Sequence, residues 1–278
     1  MPSISQTAAE KILTSIRIPP RPGIVTELME ERRKDSPDLM KIARMVAKDV
    51  VLSAAMLKTV NSPFFGLRQK VDSIERAVLI LGFDNAVNIL TGLSLRSSLG
   101  NKGVNLDHFW DTAVNTATIA VMIAKRVPGI SHTVAYTVGL FHDCGMPLMM
   151  ERFKDYDSVM RLAEMDSSSV ITDIEDVRYN SNHAIVGYLL SKNWNLSETV
   201  SLAILNHHNL DMLSSNESLP DEVCGLIAVT QIAEALSDSL RMREYATWRA
   251  NGAMLLNYLG MSEAELNDII DIIMQEHC

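Results

Sequence analysis

The chain has 278 residues, 47% of them hydrophobic, with 13 glycines and 9 prolines, which suits one large domain or two small ones sharing a core and excludes a disordered or collagen-like chain. With 25 Lys and Arg against 34 Asp and Glu, the formal charge is −9, which disfavours the broad basic surface that binding nucleic-acid phosphates requires. Cys144, Cys224 and Cys278 are far apart with no CxxC pair, a pattern that fits a reducing cytoplasm better than a disulfide framework or a thiolate zinc site. With polar residues mixed into Met1 to Ile16, neither a signal peptide nor a membrane span is expected there. No later apolar run is expected to approach the roughly 18 residues of a membrane helix.

The prolines, at 2, 19, 20, 22, 37, 63, 128, 147 and 220, leave long stretches free for helices. Leu39, Ile42, Ala43, Val46, Ala47 and Val50 follow a helical period, with Ser36 as the expected N-cap and Pro37 at the first helical position. Ser73 to Leu81, closed by Gly82, and Asp84 to Leu99, closed by Gly100, read as two more helices. The second is apolar nearly all round and belongs deep in a core. After a polar loop from Gly100 to Asn105, Asp107 can cap a helix running to about Arg126, stopped by Pro128 and Gly129. Ser131 caps the next, which ends near Asp143. Thr172 with Glu175, and Ser262 with Glu265, have capping-box spacing and mark helix starts. Ser197 starts the helix that carries Ile204 to His208, and Asn209 to Pro220 form a polar break. Alternating β-branched strands are missing from the pattern, so an all-α fold is expected. No fixed-period repeat occurs.

Four of the seven histidines, His142, His183, His207 and His208, fall near expected helix ends in the second half. His142 and Asp143 are consecutive at the end of an apolar helix, flanked by Gly139 and Gly145, which suggest close helix approach on one side and a tight turn on the other. Imidazole and carboxylate both ligate divalent ions, so convergence of these helices would surround one metal or a pair. A histidine at a helix C-terminus can instead bond the last carbonyls, which is a purely structural use of His207 or His208.

The strings Gly139-Leu-Phe-His-Asp-Cys-Gly145, His183-Ala-Ile-Val-Gly187 with Trp194, and Ala203-Ile-Leu-Asn-His-His208 resemble the HD superfamily of metal-dependent phosphohydrolases. Ile18-Pro-Pro-Arg-Pro22, Asp49, Leu57, Val60-Asn-Ser62, Phe65 and Ile74 through Gly82 narrow the resemblance to the HDOD branch, the HD-related output domains of bacterial signalling, over residues 17 to 212. The resemblance implies an HD-like helical core, 104–213, packed against an N-terminal helical bundle, 1–103, with a C-terminal extension, 214–278. Leu266, Ile269, Ile270 and Ile273 in that extension either complete the core or mediate a homodimer.

Where family enzymes carry a first ligand histidine two residues after a tryptophan, this chain has Thr112 after Trp110, with Asp111 as a substitute ligand only if it swings in. Met146 stands where the cyclic-dinucleotide phosphodiesterases carry a lysine after the HD-x-G turn. The last acidic ligand of the family corresponds to Glu234, with Gln231 as the alternative alignment. The implied candidate metal ligands are therefore His142, Asp143, His183, His207, His208 and Glu234, holding either no metal or one divalent ion, Mn, Fe, Ni or Zn. The expected function is a cytoplasmic signalling module that binds a partner signalling protein or a small ligand through a degenerate site. The alternative is a metal-dependent phosphohydrolase acting on a nucleotide or cyclic dinucleotide. Neither nucleic acid nor membrane is an expected partner. With no receiver or cyclase segment in the sequence, the input is expected from another molecule.

Cys144 could ligate zinc or sense oxidation, or simply be a small buried side chain. The 16 methionines are read mainly as fillers of gaps between helices, and Arg32-Arg33-Lys34 as a solvated helix end.

Overall fold

A computed structural model describes residues 16–61, 67, 69–99, 106–165, 170–214, 219–239 and 246–277. The features expected before Ile16, at Ser62 and Phe65, in the loop 100–105 and at Cys278 lie outside the described residues. Among the described residues every regular element is helical, as the all-α expectation requires. The chain divides into two compact units, one of residues 20–100 and one of residues 1–19 with 101–278.

The first unit holds α1 (Gly23–Arg32), α2 (Leu39–Val46), α3 (Val50–Val60) and α4 (Ile74–Leu99). Asp38, rather than the expected Ser36, caps α2. Its Oδ1 accepts from the backbone N–H groups of Met40 at 2.9 Å and Lys41 at 3.1 Å, so Pro37 stands ahead of the cap and outside the helix. The apolar stripe also stops sooner than its period suggests. Asp49 accepts from the N–H groups of Val51 and Leu52 and starts a new helix, which leaves Val50 81% exposed. Buried Glu31 ties α1 to α2, accepting from Asp38 N–H at 3.0 Å and from Lys34 and Lys41 at 2.7 Å each. Asn61 pairs both ways with the backbone of Val71, at 2.7 Å each, and closes the loop before α4. Gly82, with φ 74° and ψ 175°, divides α4 into the two expected helical pieces. Across that break α4 is long and apolar enough to cross a membrane, with a mean hydropathy of 1.6, contrary to the expectation that no run reaches this length. In the fold, 61% of that window is buried against protein.

The second unit holds α5 (Asp107–Ala124), α6 (His132–Phe141), α7 (Met146–Arg152), α8 (Tyr156–Met165), α9 (Ile171–Tyr179), α10 (His183–Asn193), α11 (Glu198–Asn206), a 3-10 turn (Leu210–Leu213), α12 (Asp221–Ser239), α13 (Ala246–Leu259) and α14 (Glu263–His277). The helix α5 begins with Asp107 inside it and Leu106 at the cap, so Asp107 acts through its charge in the first turn instead of as the expected cap. Ser131 and Ser197 do cap α6 and α11, accepting from Val134 and Val200 at 3.4 and 3.3 Å. Helices α5, α6 and α12 pack together around Ala117, Ala120, Val138, Phe141, Ile227 and Val229, all fully buried. Gly139 permits the approach of α6 to α5, since a Cβ there would lie 2.7 Å from the Ala117 Cα. Trp194, also fully buried, donates to the Pro19 carbonyl at 3.1 Å and anchors the segment entering from the N-terminus. In the extension, Leu266, Ile269 and Ile273 are buried within this unit.

Candidate metal centre

Three chain breaks between helices converge on one point. His142 is the C-cap of α6 and Asp143 follows it; His183 is the first residue of α10; His207 is the C-cap of α11 and His208 follows it. Two glycines allow this approach. A Cβ on Gly145 would lie 2.0 Å from the His183 carbonyl oxygen, and one on Gly187 would lie 3.0 Å from Ile204 and 3.3 Å from the Cys144 sulfur. Gly145 lies in the expected tight turn, 142–145, but its φ of −74° and ψ of −28° suit any residue, so it is the close approach to His183 that requires glycine there.

The histidine side chains are oriented by their Nδ1 atoms. His142 Nδ1 bonds the Gly139 carbonyl and His207 Nδ1 the Ile204 carbonyl, each at 2.7 Å, while His183 Nδ1 bonds Glu175 Oε2 at 2.7 Å. All three partners are acceptors, so Nδ1 carries the proton in each ring and Nε2 is left to face inward. The capping and ligand readings of these residues are thus compatible: the cap bond to a helix carbonyl is what aims the other nitrogen.

The inward atoms are all Lewis bases. His183 Nε2 lies 3.4 Å from His207 Nε2 and 3.1 Å from His208 Nε2, and Asp143 Oδ1 lies 3.2 Å from His183 Nε2 and 3.3 Å from His207 Nε2. Four such atoms within 4.8 Å of one another need positive charge among them, either a proton on His183 Nε2 shared with Asp143 or a metal ion. A tetrahedral ion with ligand bonds of about 2.0–2.1 Å holds its ligands about 3.3 Å apart, so the spacing fits a first-row divalent ion. The other oxygen of Asp143, Oδ2, lies 3.2 Å from His142 Nε2. His142, Asp143 and Glu234 form a second group whose ligand atoms lie within 4.8 Å of one another. Asp143 thus faces both groups, one with each oxygen. Glu234 also accepts from the Gln231 amide at 2.9 Å, so Gln231, the alternative counterpart, supports Glu234.

The titration behaviour expresses the same demand for positive charge. Burial would lower the pKa of His183, but Glu175 and Asp143 outweigh it and raise it to about 10. For His142 burial also opposes the charge, and Asp143 with Glu234 raises its pKa to about 9. His207 and His208 are pushed below the usual histidine range, by burial first. Buried Cys144 is raised well above the usual thiol range, by burial first; its sulfur faces the Gly187 carbonyl at 3.9 Å, and it belongs to neither ligand group.

Thr112 donates its hydroxyl to the His108 carbonyl at 3.0 Å, and Asp111 is exposed; neither belongs to the two ligand groups. Two residues of the site carried no recognisable ligand signal in the sequence. Glu175, fully buried, is expected to close a capping box with Thr172, but Val170 is the N-cap of α9, with no side-chain cap bond, and the carboxylate instead accepts from the N–H and Nδ1 of His183. Tyr156 donates its hydroxyl to the other Glu175 oxygen.

An all-helical unit that gathers a His-Asp dyad and further imidazoles from helix ends is an HD-type domain. Residues 18–210 match the HDOD domain, and the chain belongs to the HDOD family. An uncharacterised protein of Treponema pallidum (strain Nichols) is 29% identical over 214 residues, 74% of this chain, and the chain spans 41% of that relative's length. The fold is similar to an HDOD domain protein of unknown function from Geobacter sulfurreducens, with TM-score 0.74, 21% identity, and 97% of this chain and 95% of that one covered. A candidate signal transduction protein from Marinobacter aquaeolei VT8 gives 0.72, 21%, 98% and 62% in the same order. A candidate metal-dependent phosphohydrolase from Shewanella amazonensis SB2B gives 0.66, 16%, 98% and 97%. At these identities the likeness concerns the fold.

Proposed function

We propose that this chain is a cytoplasmic regulatory module of bacterial signalling that holds a divalent metal ion in its HD-type cluster and acts by binding a partner protein or small ligand, without efficient hydrolysis. The observation that carries the metal is the convergence of four bases, from Asp143, His183, His207 and His208, at the spacing of ligands around one ion. A bound ion would act as a Lewis acid toward a phosphate or carboxylate oxygen. The chain's own contribution is to fix the rings through Nδ1, to exclude bulk water with fully buried His183 and His207, and to leave Asp143 partly accessible. What argues for regulation over turnover is the identity of two residues. Thr112 has its hydroxyl directed to its own helix, and Met146 places no cation beside the site.

One observation favours a phosphohydrolase as the second reading. Asp143 faces both ligand groups, a disposition that would suit two ions acting on one phosphoester. Assays of the metal-loaded protein on a panel of nucleotides and cyclic dinucleotides decide between the two. Background rates, equal to those of the His142→Ala/Asp143→Ala protein, are expected. Turnover that this double substitution abolishes would replace regulation with hydrolysis.

A further inference from the structure

The hydrogen bonds around His183 continue outward for two more residues, and that chain has no place in the ligand set itself. Glu175 Oε2 accepts from the His183 backbone N–H at 3.0 Å and from Nδ1 at 2.7 Å. It therefore serves the first orphan donor of α10 and the imidazole together. Its Oε1 accepts from the Tyr156 hydroxyl. Tyr156 is 1% exposed, and Glu175 and His183 are fully buried, so no water substitutes readily for any of these donors. Burial, followed by the neighbouring Glu175, keeps the Tyr156 phenol far above its usual pKa, so it remains a donor across the physiological range. The ring is itself braced: it stacks on Tyr179 at 6.1 Å between centroids, and Tyr179 stacks on Phe153 at 4.1 Å. The Tyr179 hydroxyl, by contrast, points away to Asp155, at 3.2 Å on the exposed side.

We infer that Tyr156 is a positioning residue for the metal cluster: by donating to Glu175 it holds that carboxylate against Nδ1 of His183 and so aims Nε2 at Asp143, His207 and His208. Without the hydroxyl, one oxygen of a buried carboxylate loses its donor. The carboxylate then gains by rotating away from Nδ1 toward another donor, and the imidazole loses its fixed orientation. Outer partners of metal-bound histidines commonly contribute 10–100-fold to metal affinity. Tyr156 is one bond further out, so the low end, about tenfold, is expected.

The inference rests on the metal reading above, and the test separates the two. Tyr156→Phe keeps the ring and the stack and removes only the hydroxyl. Zn2+ affinity is measured by chelator competition, and the Nδ1–H proton of His183 is followed by NMR in the metal-free protein. Tyr179→Phe serves as the control within the same stack. Expected are about tenfold weaker Zn2+ binding and a displaced or fast-exchanging His183 Nδ1–H in Tyr156→Phe, with neither change in Tyr179→Phe. An unchanged Nδ1–H resonance in Tyr156→Phe overturns the inference whatever the affinity does. Equal losses in both variants also overturn it, because they would assign the effect to packing. If the wild-type protein takes up no Zn2+, the metal reading fails and the Nδ1–H signal still decides the role of Tyr156. Should Tyr156→Phe not fold, fluorotyrosine at position 156 strengthens the donor in place, and the same resonance must then shift.

Discussion

His183 lies between two carboxylates, Glu175 on Nδ1 and Asp143 on Nε2, and this position governs how the site responds to pH. A metal must displace the Nε2 proton, so binding releases protons and tightens as pH rises toward the His183 pKa of about 10. Calorimetric titrations in buffers of different ionisation enthalpy should report that release, and a pH-independent affinity would contradict it. The metal-free protein should behave in the opposite sense. Its folded His183 pKa of about 10 lies above the reference value of 6.5, so the stabilisation is complete below pH 6.5 and is lost as pH rises through 10. Its melting temperature should fall across that window. His142, Asp143, His183, His207 and His208 were legible as candidates from residue type and helix-end position, and Glu234 through the family resemblance. Glu175 and Tyr156 were not, because a glutamate in a capping-box pattern and a tyrosine at a helix start look like local structure. Only their partners distinguish them, His183 for Glu175 and Glu175 for Tyr156.

Helix ends carry most of the information at the next scale. Ser262 and Glu265 form the expected capping box, with the carboxylate accepting from Ser262 N–H at 2.8 Å and Ser262 Oγ accepting from Glu265 N–H at 3.3 Å. Thr172 and Glu175 have the same spacing, yet the glutamate turns to a buried imidazole that offers a stronger, drier bond. Ser36 loses to Asp38 for a related reason: the aspartate reaches two backbone donors and is fixed by Arg44 at 2.8 Å. Helix identity was thus readable from period and caps, whereas the choice among competing caps depended on side-chain partners outside the capping turn, Arg44 for Asp38 and His183 for Glu175. Two substitutions test the element-level account. Gly145→Ala places a methyl against the His183 carbonyl, forces α7 away from α10, and should cost about 1–3 kcal/mol in chemical denaturation together with weaker metal binding. In the N-terminal unit, the side-chain bonds from Lys34 and Lys41 and the Asp38 backbone N–H hold the Glu31 pKa down to about 2. The stabilisation from Glu31 is complete above its reference pKa of 4.5 and is lost as pH falls toward 2. Glu31→Gln should flatten that acid limb of the stability profile while leaving metal affinity unchanged.

At the scale of the molecule, the sequence pattern conveyed an all-helical HDOD chain, while the depth of its apolar helix emerged only in three dimensions. The helix α4 passes for a membrane span by composition, and its burial against α2 and α3 accounts for that composition. Asp143, His183, His207 and His208 come from the ends of α6, α10 and α11, and Glu234 of the second group adds α12, so a bound ion would tie together three helix ends of the second unit. Binding only to the folded state stabilises it by about 2.7 kcal/mol at a hundredfold excess of ion over Kd. Hydrogen exchange should therefore slow at those helix ends when Zn2+ is added, and Asp143→Ala should abolish the slowing. The central claim is that Asp143, His183, His207 and His208 hold an ion, and the metal content of the purified wild-type and Asp143→Ala proteins, measured by mass spectrometry without added metal, tests it most directly. The account predicts about one divalent ion per chain in the wild type, or two if the His142, Asp143 and Glu234 group is also filled, and a near-complete loss in Asp143→Ala. A wild-type chain free of metal, or an ion retained in full by Asp143→Ala, would contradict it.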